Sequence, residues 1–131
     1  LVETAEVVDW VHQADPSLTL IDARAEERFA GRVEPLDTVA GHVPGAINIP
    51  LTLNLASDGR FRSTDALREL YLSQLNGRNA ASVVAMCGSG VTACHNLLAM
   101  AIAGLPVGRL YAGSWSEWIR DPARAVATSA D

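Results

Sequence analysis

The sequence predicts an α/β domain with a central parallel sheet that helices cover on both faces. Short apolar runs, typical of buried strands, alternate along the chain with segments whose apolar residues recur at helical spacing. The segment 82–86 is apolar and rich in valine, which is typical of a central parallel strand buried on both faces. The length of 131 residues is that of one ordinary domain, so we predict a single domain over 1–131.

The first half of the chain carries one helical stripe and two short strand-like runs. Val7 and Val11 belong to the stripe, and Asp15-Pro16 ends it. The apolar run after Pro16 predicts a buried strand, and Gly31 closes the short helix that follows it. The predicted elements are a helix over 3–13, a strand over 18–21, a helix over 26–30, a loop over 32–42 and a strand over 47–50.

The second half predicts two more strands and three more helices. Ser63 is of the residue type that caps helix N-termini, and Asn76-Gly77 supplies the matching stop. The segment 92–103 is apolar nearly all round, so we expect a buried helix, ended by Gly104. The predicted elements are a helix over 65–75, a strand over 82–86, a helix over 92–103, a strand over 107–111 and a helix over 114–119.

Charge and composition argue against several classes of partner. The formal net charge is −5, and the ten basic residues are spread from Arg24 to Arg124, which argues against nucleic acid. The apolar runs are interrupted well before the ~18 residues of a membrane span, so we expect no membrane association.

The chain has two cysteines, Cys87 and Cys94, which are seven positions apart. This spacing is neither a Cys-x-x-Cys redox motif nor part of a zinc site, and the three histidines do not complete one. We therefore predict no metal, no cofactor, and the free thiols of a cytoplasmic protein.

Cys87 stands where the predicted strand 82–86 ends and a helix is about to begin. Ligand sites in open parallel sheets form at the carboxyl ends of the strands. Gly88 and Gly90 allow tight turns with N–H groups pointing inward, and the following helix N-terminus adds positive potential. Such a setting stabilises a thiolate and holds an anion beside it. We interpret Cys87 as a nucleophile. The alternative is that Cys87 packs in the core as a small apolar residue.

The groups around Cys87 are weaker candidates for chemistry. Cys94 lies on the predicted buried helix without a glycine loop, so we expect it to be packed and inert. His95 follows it, and we expect a hydrogen-bonded or partly exposed histidine. Asp22, at a strand end, either holds the loop or caps a turn. A phosphatase of the Cys-x5-Arg type needs an arginine where this chain has Ala93, so phosphoryl transfer is disfavoured.

Four ordered motifs resemble the rhodanese family over nearly the whole chain. The loop 87–93 resembles the active-site loop of the two-domain thiosulfate and 3-mercaptopyruvate sulfurtransferases. The other motifs are Ile21-Asp22-Ala23-Arg24 with Arg28-Phe29-Ala30-Gly31 and Glu34-Pro35, the block 41–50, which matches the family's GHIPGAxNxP signature, and the block 111–118. The resemblance implies a rhodanese-like fold and the catalytic, C-terminal half of a tandem protein.

The resemblance also implies sulfur transfer. In the family the active-site thiolate takes the outer sulfur of a small anionic donor, becomes a persulfide, and passes the sulfur to a thiol or cyanide. The family's nucleophile matches Cys87, and its donor-binding arginine matches Arg28. The loop residues implied to hold the donor are Gly88, Ser89, Gly90, Val91 and Thr92. An N-terminal rhodanese domain of the same longer chain is the implied partner.

Two choices stay open in this interpretation. Ser89 resembles the mercaptopyruvate enzymes, whereas Leu36 stands where these usually carry a second arginine, so we expect thiosulfate as donor with 3-mercaptopyruvate second. A non-catalytic rhodanese-like module that carries sulfur or binds a protein is the alternative class, against which the cysteine argues. His42 is expected to be structural, and Trp115 and Trp118 are expected in the core.

Overall fold

The computed structural model describes residues 1–13 and 18–128, which form one parallel sheet between two layers of helices. The strands are β1 (Thr19–Asp22), β2 (Ile47–Asn48), β3 (Val83–Met86) and β4 (Arg109–Leu110). Their order in the sheet is β2-β1-β3-β4, and every neighbouring pair is parallel. The predicted α/β class with a parallel sheet is confirmed.

The five helices of the described residues fall close to the predicted positions. They are α1 (Thr4–Gln13), α2 (Glu26–Ala30), α3 (Thr64–Leu75), α4 (Ala93–Ile102) and α5 (Ser114–Trp118). Ser63 caps α3 as predicted, because its Oγ accepts a hydrogen bond from the N–H of Ala66 at 3.2 Å. The predicted end of the first helix at Asp15-Pro16 lies outside the described residues.

Two apolar cores lie on the two faces of the sheet, since successive side chains of a strand point to opposite sides. Ile21 and Ala85 face the core shared with α3 and α4. Leu20 and Val84 face the other core, to which α1 and α5 contribute. Trp115 and Trp118 are buried in this second core, which confirms their predicted place.

The predicted burial of the whole of α4 is wrong. Its inner side packs with buried Ala93, Asn96 and Ala99, but Cys94 is exposed and Leu98 is 52% exposed. Only one side of this helix packs against the sheet. Because α4 has apolar residues on every side, the sequence pattern does not indicate which side that is. Cys94 is therefore a surface thiol rather than the packed one that we expected.

The two edge strands are shorter than predicted. β2 covers only Ile47–Asn48 of the predicted 47–50, and a 3-10 helix over Leu51–Asn54 begins directly after Pro50. β4 covers only Arg109–Leu110 of the predicted 107–111. The longest helix, α3, has 12 residues, and none of the helices in the described residues has the length and apolar character needed to cross a membrane.

Candidate active site

Cys87 lies directly after β3, at the carboxyl end of a strand in the middle of the sheet. Its Sγ accepts a hydrogen bond from the N–H of Gly90 at 3.0 Å. Its own N–H donates to Oγ of Ser114 at 3.1 Å, and its carbonyl accepts from the N–H of Trp115 at 3.0 Å. The start of α5 therefore anchors the cysteine backbone, while the loop that follows turns back over the sulfur.

Gly90 is the residue on which this turn depends. Its φ of +93° lies in the region that L side chains rarely adopt. A Cβ at this position would also lie 2.3 Å from the carbonyl oxygen of Ala112, a backbone atom that cannot move independently. Gly88 differs, since its φ is not positive and an added Cβ would lie 3.4 Å from Nη2 of Arg28. Gly90 is required by conformation, whereas a Cβ at Gly88 would lie in ordinary contact with the Arg28 guanidinium.

The outer residues of the loop face solvent, whereas the thiol does not. Cys87 is 1% exposed, while Ser89, Val91 and Thr92 are exposed. Of the loop amides in the described chain, the N–H of Gly90 is the one that hydrogen-bonds to the sulfur. α4 begins at once after Thr92, so the positive end of its dipole lies at the loop. The thiol thus lies beneath a loop with positive potential.

Arg28 reaches the same loop from α2. Its Nε and Nη2 donate to the two carboxylate oxygens of Glu34 at 3.1 and 3.0 Å, and Nη2 lies 3.4 Å from Oδ2 of Asp37. Within the described residues Nη1 makes no hydrogen bond, and it lies beside Gly88. The structure therefore brings Arg28 and the Cys87 loop together, with one guanidinium nitrogen available to a ligand.

Glu34 holds this arginine in place. Burial raises the pKa of Glu34, but hydrogen bonds from Arg28 and from the N–H groups of Asp37 and Leu36, with the charge of Arg28, outweigh burial. The net pKa is lower than the ordinary 4.5, so Glu34 is ionised in the folded protein at neutral pH.

We expect the free energy of unfolding to decrease in acid because of Glu34. Its folded pKa is depressed, so its contribution is present above pH 4.5 and is lost as the pH falls through the folded pKa. Glu34→Gln should lower the stability at neutral pH by about 1.5 kcal/mol, the value of a lost charged hydrogen bond. Urea unfolding from about pH 7 to about pH 3 should show the two proteins converging in acid, and a difference independent of pH would contradict this.

A buried ion pair supports the site from below. Arg24 donates to the Asp22 carboxylate at 2.8 Å, and both side chains are almost fully buried. The Arg24 guanidinium also donates to the carbonyl of Gly41 at 2.7 Å and stacks over the ring of Trp115 at 4.7 Å. Its Nη1 has no hydrogen-bond partner among the described residues and lies 3.6 Å from Glu34. Asp22 also accepts from the N–H of Arg24, so it caps a turn as well.

Sequence reasoning missed Ser114, Ser116 and Asp37. Ser114 adopts a φ of 55°. Its Oγ accepts a hydrogen bond from the N–H of Cys87 and donates one to the carbonyl of Tyr111. The N–H of Ser116 donates to the carbonyl of Gly88 at 2.9 Å, and its Oγ donates to Asp37 at 3.0 Å. The two serines lie in a block that resembled the family, but no local pattern shows which atoms they contact.

The two histidines near the predicted motifs have partners that explain them structurally. His42 is buried, stacks on the ring of Phe29, and its Nδ1 lies 2.7 Å from the carbonyl of Phe29. His95 stacks on Phe61, and its Nδ1 lies 3.0 Å from the amide nitrogen of Asn54. Neither contact involves Cys87 or Arg28.

The protein is an α/β domain whose candidate site is a single cysteine. This cysteine lies in a glycine loop at the carboxyl end of a parallel strand, and an arginine lies against the loop. Residues 3–121 match the family described as Rhodanese-like domain. The chain belongs to this family, and the resemblance drawn from its motifs is confirmed.

Relatives in the family carry sulfurtransferase names. A Pseudomonas aeruginosa protein named "Probable 3-mercaptopyruvate sulfurtransferase" is 59% identical over 113 residues, which are 86% of this chain and 40% of that protein. The thiosulfate sulfurtransferase of Rattus norvegicus is 38% identical over 104 residues, 77% of this chain and 35% of that protein. The chain thus spans about two fifths of the length of the curated relatives it matches.

Among solved structures, the Tum1 protein from Saccharomyces cerevisiae has a TM-score of 0.83 and 26% sequence identity. The match covers 98% of this chain and 46% of that one. The predicted rhodanese-like fold is therefore confirmed over almost the whole chain.

Proposed function

We propose that this domain is a sulfurtransferase that takes a sulfane sulfur from a small anionic donor onto Cys87 and passes it to a thiol or cyanide. The observation that carries the proposal is the Cys87 thiol, held by the N–H of Gly90 at 3.0 Å, in a loop whose Gly88 lies against the guanidinium of Arg28. The sulfurtransferase names of the relatives support the same chemistry.

With thiosulfate as donor, the Cys87 thiolate attacks the outer sulfur. The S–S bond of thiosulfate breaks, and sulfite leaves with the bonding electron pair. With 3-mercaptopyruvate the C–S bond breaks instead, and the carbanion that leaves takes up a proton to give pyruvate. The acceptor then attacks the outer sulfur of the Cys87 persulfide and returns the cysteine as thiolate, so the domain is neither oxidised nor reduced overall.

Arg28 is proposed to bind the anionic end of the donor. The thiolate and the donor repel each other, and a permanently charged guanidinium offsets this repulsion. Glu34 occupies Nε and Nη2, so the donor would use Nη1, which lies beside Gly88. Backbone N–H groups of the loop from Gly88 to Thr92 and the N-terminus of α4 are proposed to complete the anion site.

Thiosulfate and 3-mercaptopyruvate are both proposed donors. Ser89 is exposed at the crown of the loop, where its hydroxyl is available to a substrate carbonyl or carboxylate. Leu36 is 79% exposed and brings no second cation to the site. Relatives are named after one donor or the other, which agrees with a site that has no second cation to select either anion.

We further propose that an N-terminal rhodanese domain of the same longer chain covers the loop. The support is the length of the relatives, of which this chain spans 40% and 35%. Val91, in the loop, is 75% exposed, and Leu36, next to the residues that hold Arg28, is 79% exposed. Exposed apolar side chains around a functional loop are typical of a surface covered by another domain.

The test of the proposed activity is the mass of the protein after incubation with each donor. We expect a gain of one sulfur atom, about 32 Da, on Cys87 and its loss on addition of cyanide. The same measurement on protein from its native cells should give a mass well above 13.9 kDa if the second domain exists. Folded protein that gains no sulfur from either donor would overturn the activity.

Two serine variants identify the cysteine that reacts. Cys87→Ser should gain no sulfur, whereas Cys94→Ser should gain as much as the unchanged protein. Cys94 is a demanding control because its thiol is exposed while Cys87 is buried. If exposure alone governed the reaction, Cys94 would carry the sulfur instead.

A further inference from the structure

Asp37 is the least firmly held carboxylate around Arg28. Its Oδ2 lies 3.4 Å from Nη2 of Arg28, a long contact, and its Oδ1 accepts from Oγ of Ser116 at 3.0 Å. Glu34, in contrast, accepts from Nε and Nη2 of Arg28 and from the N–H groups of Leu36 and Asp37, all within 3.1 Å. Glu34 therefore fixes the direction of the Arg28 guanidinium. Asp37 contributes a negative charge beside it and does little to orient it.

Asp37 also lies close to the place where a donor would bind. Ser116, which donates to Asp37, donates through its N–H to the carbonyl of Gly88. Gly88 in turn lies against the guanidinium of Arg28. An anion bound between Arg28 and the loop would therefore lie well within the ~10 Å over which charges interact at moderate salt.

The charges around Arg28 do not favour an anion as strongly as one arginine alone would. Arg28 forms ion pairs with two carboxylates, those of Glu34 and Asp37, so the formal charges of the three side chains sum to one net negative charge. The Arg24–Asp22 pair beneath them is neutral overall. The repulsion that Asp37 exerts on a donor increases in proportion to the donor's charge.

We propose that Asp37 is a specificity-determining residue that selects donors by charge. Its carboxylate disfavours dianionic donors such as thiosulfate more than monoanionic donors such as 3-mercaptopyruvate. This inference rests on the proposed function, since it concerns the donor site of that reaction. The hydrogen bond from Ser116 keeps the Asp37 charge beside the loop, where it acts on whatever Arg28 binds.

The experiment compares Asp37→Asn with the unchanged protein on both donors at about pH 6.5, where the thiol of 3-mercaptopyruvate is protonated. Asparagine retains the size of the side chain and an acceptor for Ser116. We expect kcat/KM to rise about threefold for 3-mercaptopyruvate and about tenfold for thiosulfate, because the interaction energy doubles with the charge. Both gains should shrink as salt is raised toward about 0.5 M.

Two matched variants separate charge from structure. Asp37→Glu retains the charge and should leave the ratio of the two kcat/KM values near that of the unchanged protein. Ser116→Ala removes the hydrogen bond to Asp37 but no charge, so this ratio should change less than in Asp37→Asn. A purely structural role of Asp37 would change both donors equally and would not depend on salt.

Equilibrium binding of thiosulfate distinguishes failure of this inference from failure of the proposed activity. The binding is measured by calorimetry in a Cys87→Ser background, where no sulfur is transferred. Tighter thiosulfate binding in Asp37→Asn supports the charge selection even if the unchanged protein turns over neither donor. Equal gains for the two donors, no gain, or no measurable thiosulfate binding in either protein would overturn it.

Discussion

Gly90→Ala is expected to destabilise the protein by about 3 kcal/mol and to reduce sulfur transfer about a hundredfold. The backbone at Gly90 has φ of +93°, and an added Cβ would lie 2.3 Å from the carbonyl oxygen of Ala112. Both the strain and the overlap are relieved only if the loop moves away from the segment before α5. That movement takes the N–H of Gly90 away from the sulfur of Cys87, which it now contacts at 3.0 Å.

Gly59→Ala is the matched control for this substitution. Gly59 has a similar φ of +81°, but no atom lies within 4 Å of an added Cβ. Gly59→Ala should lower the free energy of unfolding by only about 1 kcal/mol, the cost of the left-handed backbone conformation, and it should retain sulfur transfer. Urea unfolding and donor turnover measured on both variants separate the two effects. A Gly90→Ala protein that is no less stable and no less active than Gly59→Ala would contradict this prediction.

Asp22→Asn is expected to lower the free energy of unfolding by about 3 kcal/mol, because it leaves a buried arginine with little compensation. The Asp22 and Arg24 side chains are 0% and 1% exposed and lie 2.8 Å apart. Asparagine retains an acceptor for the N–H of Arg24, so the turn is kept. The decrease in stability therefore measures the loss of the Asp22 charge. Thermal unfolding should show a midpoint about 10 °C lower.

The exposed pair of Glu26 and Arg32 supplies the control. Its N···O distance of 3.1 Å is similar, but its side chains are 69% and 52% exposed. Glu26→Gln should therefore change the stability by less than about 0.5 kcal/mol. A loss in Asp22→Asn as small as that would show that the buried pair is compensated by Trp115 and Glu34, which also lie near the Arg24 guanidinium.

The strands and helices could be predicted to a large extent because their patterns are local. β3 is apolar at every position, and α3 has a serine cap and an asparagine at φ of 49° where it ends. The exposure of Leu98 and Cys94 could not be predicted, since it depends on which side of α4 meets the sheet. The shortness of β2 and β4 likewise depends on how far a neighbouring strand extends beside them.

The position of Cys87 follows from the sequence alone, because an apolar strand, a glycine loop and a helix in that order place a thiol at the edge of a parallel sheet. The family resemblance added Arg28. Only the tertiary structure brings together Ser114, Asp37 and the Cys87 loop, because these residues are far apart in the chain and meet through packing. Local patterns therefore determined the fold and the thiol, whereas long-range contacts decided the charges that surround it.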